Sequence, residues 1–201
     1  SLLLSLMVYV IQYQIQKSSV RLLQDNTLLA AHNTLSRELG DVRKVVQLLV
    51  ADDILKQSDE SALLEEQIQI HFVNFGLAAE NISQIRWLDR KGQEKVRVNF
   101  KTGQAELVPK QQLQNKSSRY YFTEGMEHSQ GEVYISPIDL NVERGAVVTP
   151  YEPTLRASYR TTSDDFVLDG LVVVNFDLSK TLQQIKSLST LQAQIQLVNG
   201  E

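Results

Sequence analysis

From about Leu6 to about Leu55 the chain holds no proline and one glycine, Gly40. Leu28, Leu35, Val42 and Leu49 recur every seven residues, and Ala31, Leu39 and Val46 fill positions three or four away. That spacing predicts one long helix with an apolar stripe. At about 1.5 Å per residue, about 45 residues of it make a rod of roughly 65 Å. Gly40-Asp41 is a point where it can bend or restart. A helix of this length beside a small domain is either a coiled coil or a spine that the domain leans on. The stripe predicts a parallel homodimer through this helix.

The start of the helix carries a second signal. Leu2 to Ile11 contains one polar residue, Ser5. The run is short of the roughly 20 apolar residues that span a bilayer. It has neither the charged leader nor the small-residue cleavage site of a signal peptide. Two readings stand open: the outer end of a transmembrane helix, or an exposed, self-associating amphipathic helix. The abruptly polar "QYQIQKSSVRLLQDN" that follows suits a chain leaving a membrane.

Beyond residue 57 the period changes. Ser58 with Asp59 and Glu60 is a good helix start, and "ALLEEQIQIHFVNF" continues to Gly76, a plausible C′ glycine. From Ile82 the period is two. "ISQIRWLD" and "EKVRVNF" read as strands joined by a glycine turn, "RKGQ". "SSRYYFTEGMEH" reads as a short helix capped by Ser117 or Ser118. "EVYIS", "TLRASYRTT" and "LVVVNFD" are three further strands, with "SDDFVLDG" as a loop between the last two. "LSKTLQQIKSL" is a helix, and "QAQIQLVNGE" begins one more strand. Antiparallel runs without βαβ alternation make the class α+β.

These pieces together resemble the membrane-distal module of the extracytoplasmic double-Cache (PAS-like, PDC) sensor domains of bacterial sensor histidine kinases and diguanylate cyclases. The long N-terminal helix, "IRWLDRKGQEKVRV", "SSRYYF", "GEVYISPIDLNVE", "PYEPTLRASYRTT" and "DGLVVVNFDLSKTL" carry the likeness, which covers about Asn81 to Leu188. It implies a five-stranded antiparallel sheet flanked by helices. It also implies a periplasmic location in an inner-membrane receptor, small-molecule sensing, and a second, membrane-proximal module. On this reading residues 1–57 are the long helix, 58–188 the sensor module, and 189–201 the start of a second module.

Chemistry by the chain itself is not expected. His32, His71 and His128 lie in separate elements, and no nucleophile elbow, P-loop or dinucleotide fingerprint occurs. Asp164-Asp165 is turn chemistry rather than a metal pair. There are no cysteines, so thiolate metal sites are excluded, and no cofactor is expected. Net charge is −4 and no Lys/Arg run reaches five residues, which argues against a nucleic-acid partner.

Strand alternation sorts side chains into two faces. Ile85, Trp87, Val96, Val98, Phe100, Leu155, Ala157, Tyr159, Val172, Val174 and Phe176 share one, to be covered by the long helix. Arg86, Arg97, Arg156, Asn99, Ser158 and Asn175 share the other with Leu171 and Val173. A pocket on that second face, roofed by the "SRYYF" helix, explains why polar and bulky apolar residues mix there. Arg119, Tyr120 and Tyr121 belong to the roof: arginine offers a fork for carboxylates and tyrosine an apolar body with a hydroxyl. Ser136, Asp139 and Asn141 sit in the loop at the pocket edge, as ligand contacts or as turn caps. Clustered arginines need a counter-charge. Asp139 or Asp169 can supply it; where they do not, a ligand carboxylate must. The expected ligand is therefore a small organic anion such as a carboxylic or amino acid. The alternative is a protein-interaction module with no small ligand.

Overall fold

A computed structural model describes residues 2–55, 62–143, 146–161, 170–190 and 193–198. Two compact units emerge, residues 1–39 with 179–201, and residues 40–178. The first contains most of α1 (Leu2–Ala51) and all of α4 (Ser179–Ser187). Within it Thr181 of α4 donates a 2.9 Å hydrogen bond to Glu38 of α1. α1 is continuous, with no break at Gly40.

The second unit runs α2 (Ala62–Ala78), β1 (Ile82–Asp89), β2 (Glu94–Lys101), β3 (Gln104–Leu107), α3 (Tyr120–Glu127) and β4 (Val133–Ile135). β5 (Asp139–Leu140), β6 (Val142–Glu143), β7 (Ala146–Val147), β8 (Pro153–Arg160) and β9 (Gly170–Asp177) follow. One antiparallel sheet of seven strands takes the order β3-β2-β1-β9-β8-β4, with β5 also on β8; β6 and β7 pair separately. The expected five strands are β1, β2, β4, β8 and β9. The two additions are short. β3 arises because Thr102 and Gly103 both take positive φ, 50° and 74°, which turns the chain back on β2 in a two-residue hairpin.

Other expectations are corrected. Val42 and Leu49 are buried in this unit, so Leu28, Leu35, Val42 and Leu49 do not form one outward stripe. α2 also packs on β2 and β3, so the cover is not left to the long helix alone. α2 runs on through Gly76. That glycine is there for packing, because a Cβ would lie 2.1 Å from the Phe100 ring. α2 meets the end of α1 where His71 Nε2 stands 3.1 Å from the Leu49 carbonyl oxygen. α3 starts from Arg119, with no side-chain cap; Ser117 is instead bound to Asn115. Residues 193–198 carry no strand. The expected helix start at Ser58-Asp59-Glu60 and the loop with Asp164, Asp165 and Asp169 lie outside the described residues.

The sheet closes tightly at its centre. A Cβ on Gly170 would fall 1.9 Å from the Leu88 carbonyl oxygen, which is backbone and cannot turn aside. Gly170→Ala is therefore expected to cost stability at the upper end of the roughly 1–3 kcal/mol of an overpacked core. A Cβ on Gly40 meets nothing within 4 Å, so Gly40→Ala is expected to stabilise by about 0.5–1 kcal/mol. Urea-denaturation midpoints measure both.

Candidate functional site

Strand register sets out one sheet face in rows. Arg97, Arg86, Val173 and Ser158 stand side by side across β2, β1, β9 and β8. Asn99, Gln84, Asn175 and Arg156 form the next row. This is the face expected from alternation, and it is buried: Arg86 and Arg156 are each 2 % exposed. Buried charge is costly unless paired. The pairing comes from a residue that alternation assigns to the opposite face. Between Trp87 and Leu88 the register slips, so that Trp87 faces Val96 while Leu88 faces Glu94. The bulge absorbs Lys95 and turns Glu94 inward among the arginines. Its carboxylate is 0 % exposed, 3.5 Å from Arg86 Nη1 and 3.9 Å from Arg97 Nη1. It also accepts the Gln114 amide at 2.9 Å.

α3 roofs half of this face. Gly125 lets it approach, since a Cβ there would sit 2.5 Å from Ser158 Oγ. Tyr121 and Phe122 join Leu88, Leu171 and Val173 in one buried cluster, which is why those apolar residues belong on a polar face. Arg86 Nη1 donates to the Tyr121 hydroxyl at 3.0 Å. Three guanidinium carbons, of Arg86, Arg119 and Arg156, lie 5.8, 5.7 and 5.2 Å from the Tyr121 ring centre. Arg156 is ion-paired to Asp139, and the Tyr120 hydroxyl donates to the other Asp139 oxygen at 2.8 Å. Burial pushes the Tyr120 hydroxyl up from its ordinary pKa, although Arg156 pulls the other way. For Arg156 burial opposes the charged form, but the hydrogen bond and charge of Asp139 outweigh it, so its pKa rises.

The same face opens at its other end into a cavity of about 430 Å³. Gln84, Arg97 and Asn99 line it from the sheet, and Asn141, Val148 and Glu152 from the segment between β5 and β8. It holds two bases, Arg97 and Lys101, and three acids, Glu106, Glu152 and Asp177.

The family model described as the sensor domain of bacterial histidine kinases matches residues 34–201. The chain belongs to that family. It is a sensor domain, not a catalytic one. No curated protein compared with it matches significantly. Among solved structures it resembles the extracellular domain of a protein described as histidine kinase vpHK1S-Z8, at 24% identity and a TM-score of 0.65. It also resembles a domain of a sensory box/GGDEF family protein from Vibrio parahaemolyticus, at 24% and 0.66. The ligand-binding domain of the Campylobacter jejuni chemoreceptor Tlp3, solved with L-valine, is similar at 10% and 0.63. Matches cover 82%, 82% and 88% of this chain; the chain spans 62%, 65% and 65% of those structures.

The sensor domain separates the expected site residues. Arg97 and Asn141 line the cavity. Arg119, Tyr120, Tyr121, Asp139 and Arg156 gather under and within α3, away from it. Ser136 is buried, giving its hydroxyl hydrogen to the Pro137 carbonyl and accepting the Arg156 amide. Asn175 is buried beside Gln84, donating to it at 3.3 Å. Asp169 lies outside the described residues. Glu94, Lys101, Glu106, Glu152 and Asp177 were not singled out by the sequence reading. Removing the Glu94 charge leaves Arg86 and Arg97 without it in the interior, so Glu94→Gln is expected to cost about 3–5 kcal/mol, read by denaturant titration with an unchanged m-value.

Proposed function

We propose that this domain senses a small organic acid, amino acids included, in the cavity bounded by Arg97, Asn141 and Glu152. The carrying observation is the cavity's chemistry. Arg97 and Lys101 offer cations to a carboxylate, and Glu152 and Asp177 offer anions to an ammonium group. Its size suits a small metabolite. That Tlp3 structures were solved with L-valine and isoleucine supports the same class. Glu94 and Asp139 already pair with the buried arginines, so the ligand's acid group is assigned to Arg97 and Lys101 in the cavity and not to Arg156 in the roofed half of the face.

A thermal-shift screen of amino acids, organic acids and neutral metabolites tests this. The expected hits carry a carboxylate, and Lys101→Ala weakens binding by about tenfold, the loss of one charge-assisted hydrogen bond. A neutral or purely cationic hit contradicts the charge assignment.

We infer further that the domain works in the periplasm as part of a membrane receptor and as a parallel homodimer. From Leu2 to Ile11 the large apolar side chains are exposed on every side of α1, which suits hydrocarbon better than a single helix partner. Among the described residues no helix is long and apolar enough to cross a membrane. Val8, Ile15, Leu22 and Leu29 are exposed at seven-residue spacing, the spacing of a two-helix seam. β9 carries Asp177 at the cavity and leads through Leu178 into α4, whose Thr181 holds Glu38 of α1. Ligand binding then shifts α4 against α1 and biases the dimer between two states. Single cysteines at Leu22 or Leu29 are expected to crosslink in membranes, and one at Val46 is not. Crosslinking at Val46 alone contradicts the seam.

A further inference from the structure

We propose that Arg156 is a positioning residue for the cavity. Its guanidinium fills a cage built by Tyr120, Tyr121 and Asp139, and so holds in place the segment that carries Asn141 and Glu152. The inference rests on the reading of the cavity as the ligand site.

The cage has the parts that a guanidinium receptor needs. Tyr121 presents its ring 5.2 Å from the Arg156 guanidinium carbon. The Tyr120 hydroxyl stands 3.3 Å from Arg156 Nη1. The Asp139 carboxylate accepts from the same nitrogen, and Tyr120 donates to the second Asp139 oxygen. All three cage residues face a group that comes from the chain's own β8. With its side chain 3 % exposed and outside the cavity lining, Arg156 is poorly placed to fork a ligand.

What it does hold is the chain between β4 and β8. The Ser136 amide donates to the Arg156 carbonyl at 2.8 Å, and the Arg156 amide to Ser136 Oγ at 3.0 Å. The guanidinium then grips Asp139, three residues on. Asn141 follows two residues later and is tied to Glu152 twice, through its amide and its side chain, each at 3.0 Å. Val148 donates back to the Asn141 carbonyl at 2.9 Å. Asn141, Val148 and Glu152 all line the cavity. The short β5 has two residues paired with β8, too few to fix the segment alone. One arginine thus links α3, through Tyr120, to the cavity wall.

The test is amide hydrogen exchange on the full chain without ligand, so a failed ligand screen does not affect it. In Arg156→Ala, protection of the Asn141 and Val148 amides is expected to fall about ten- to a hundredfold, the loss of one charge-assisted contact. Amides pairing β1 with β2 are expected to keep theirs. Millimolar methylguanidinium is expected to restore the protection at Asn141 and Val148, because it refills the cage; a packing defect alone has no such remedy. Tyr120→Phe and Asp139→Asn give the same local loss without emptying the cage, and decide the matter if Arg156→Ala does not fold. Unchanged exchange at Asn141 and Val148 in these variants overturns the proposal. So does an Arg156→Ala protein that folds but is not rescued by methylguanidinium.

Discussion

The Glu94 carboxylate, held without solvent between Arg86 and Arg97, is the contact on which the sheet's polar face depends. Two guanidiniums side by side on neighbouring strands repel each other, and in a low-dielectric interior that repulsion is not screened. One acid between them turns repulsion into a paired cluster. Burial in turn has to be completed from above, and α3 does this by laying Tyr121 across Arg86 and Arg156. The roof is therefore a consequence of the charge placement below it. The acid reaches its place only because a bulge shifts β2 by one residue at Lys95.

That bulge also marks where sequence reading stops. A period of two assigns Arg86, Arg97, Asn99, Arg156, Ser158 and Asn175 to one face, and their register agrees. The same rule puts Glu94 with Val96 and Val98, on the wrong side. Parity counts fail at any slip in register, and nothing in "GQEKVRV" announces one. The long helix was legible from its lack of proline, but its stripe was not. A heptad pattern does not say which partner buries it, and Val42 and Leu49 are buried within the chain itself. β3 hid in "KTGQ", because a threonine with positive φ gives a weak turn signal. The "SRYYF" helix packs over the sheet, whereas the cavity lies at the other end of the face, walled by a segment between β5 and β8 that has only short strand pairings.

A sensor must fold with and without its ligand. Had the buried arginines awaited a ligand carboxylate, the empty domain would carry uncompensated charge costing several kcal/mol per ion. That is comparable with the whole stability of a domain this size. The ligand would then act as a folding cofactor, and its loss would unfold the domain rather than reset it. Glu94, shared by Arg86 and Arg97, and Asp139, on Arg156, lessen that cost whether or not a ligand is bound. On the proposed reading selectivity is left to the cavity, where Lys101 and Glu106 are exposed to water. A ligand there has only to favour one of two folded arrangements by a few kcal/mol. Arg97 belongs to the arginine face and to the cavity alike, paired with Glu94 on one side and lining the cavity on the other, so on the proposed reading one sheet serves as the core of a stable fold and as the floor of the site.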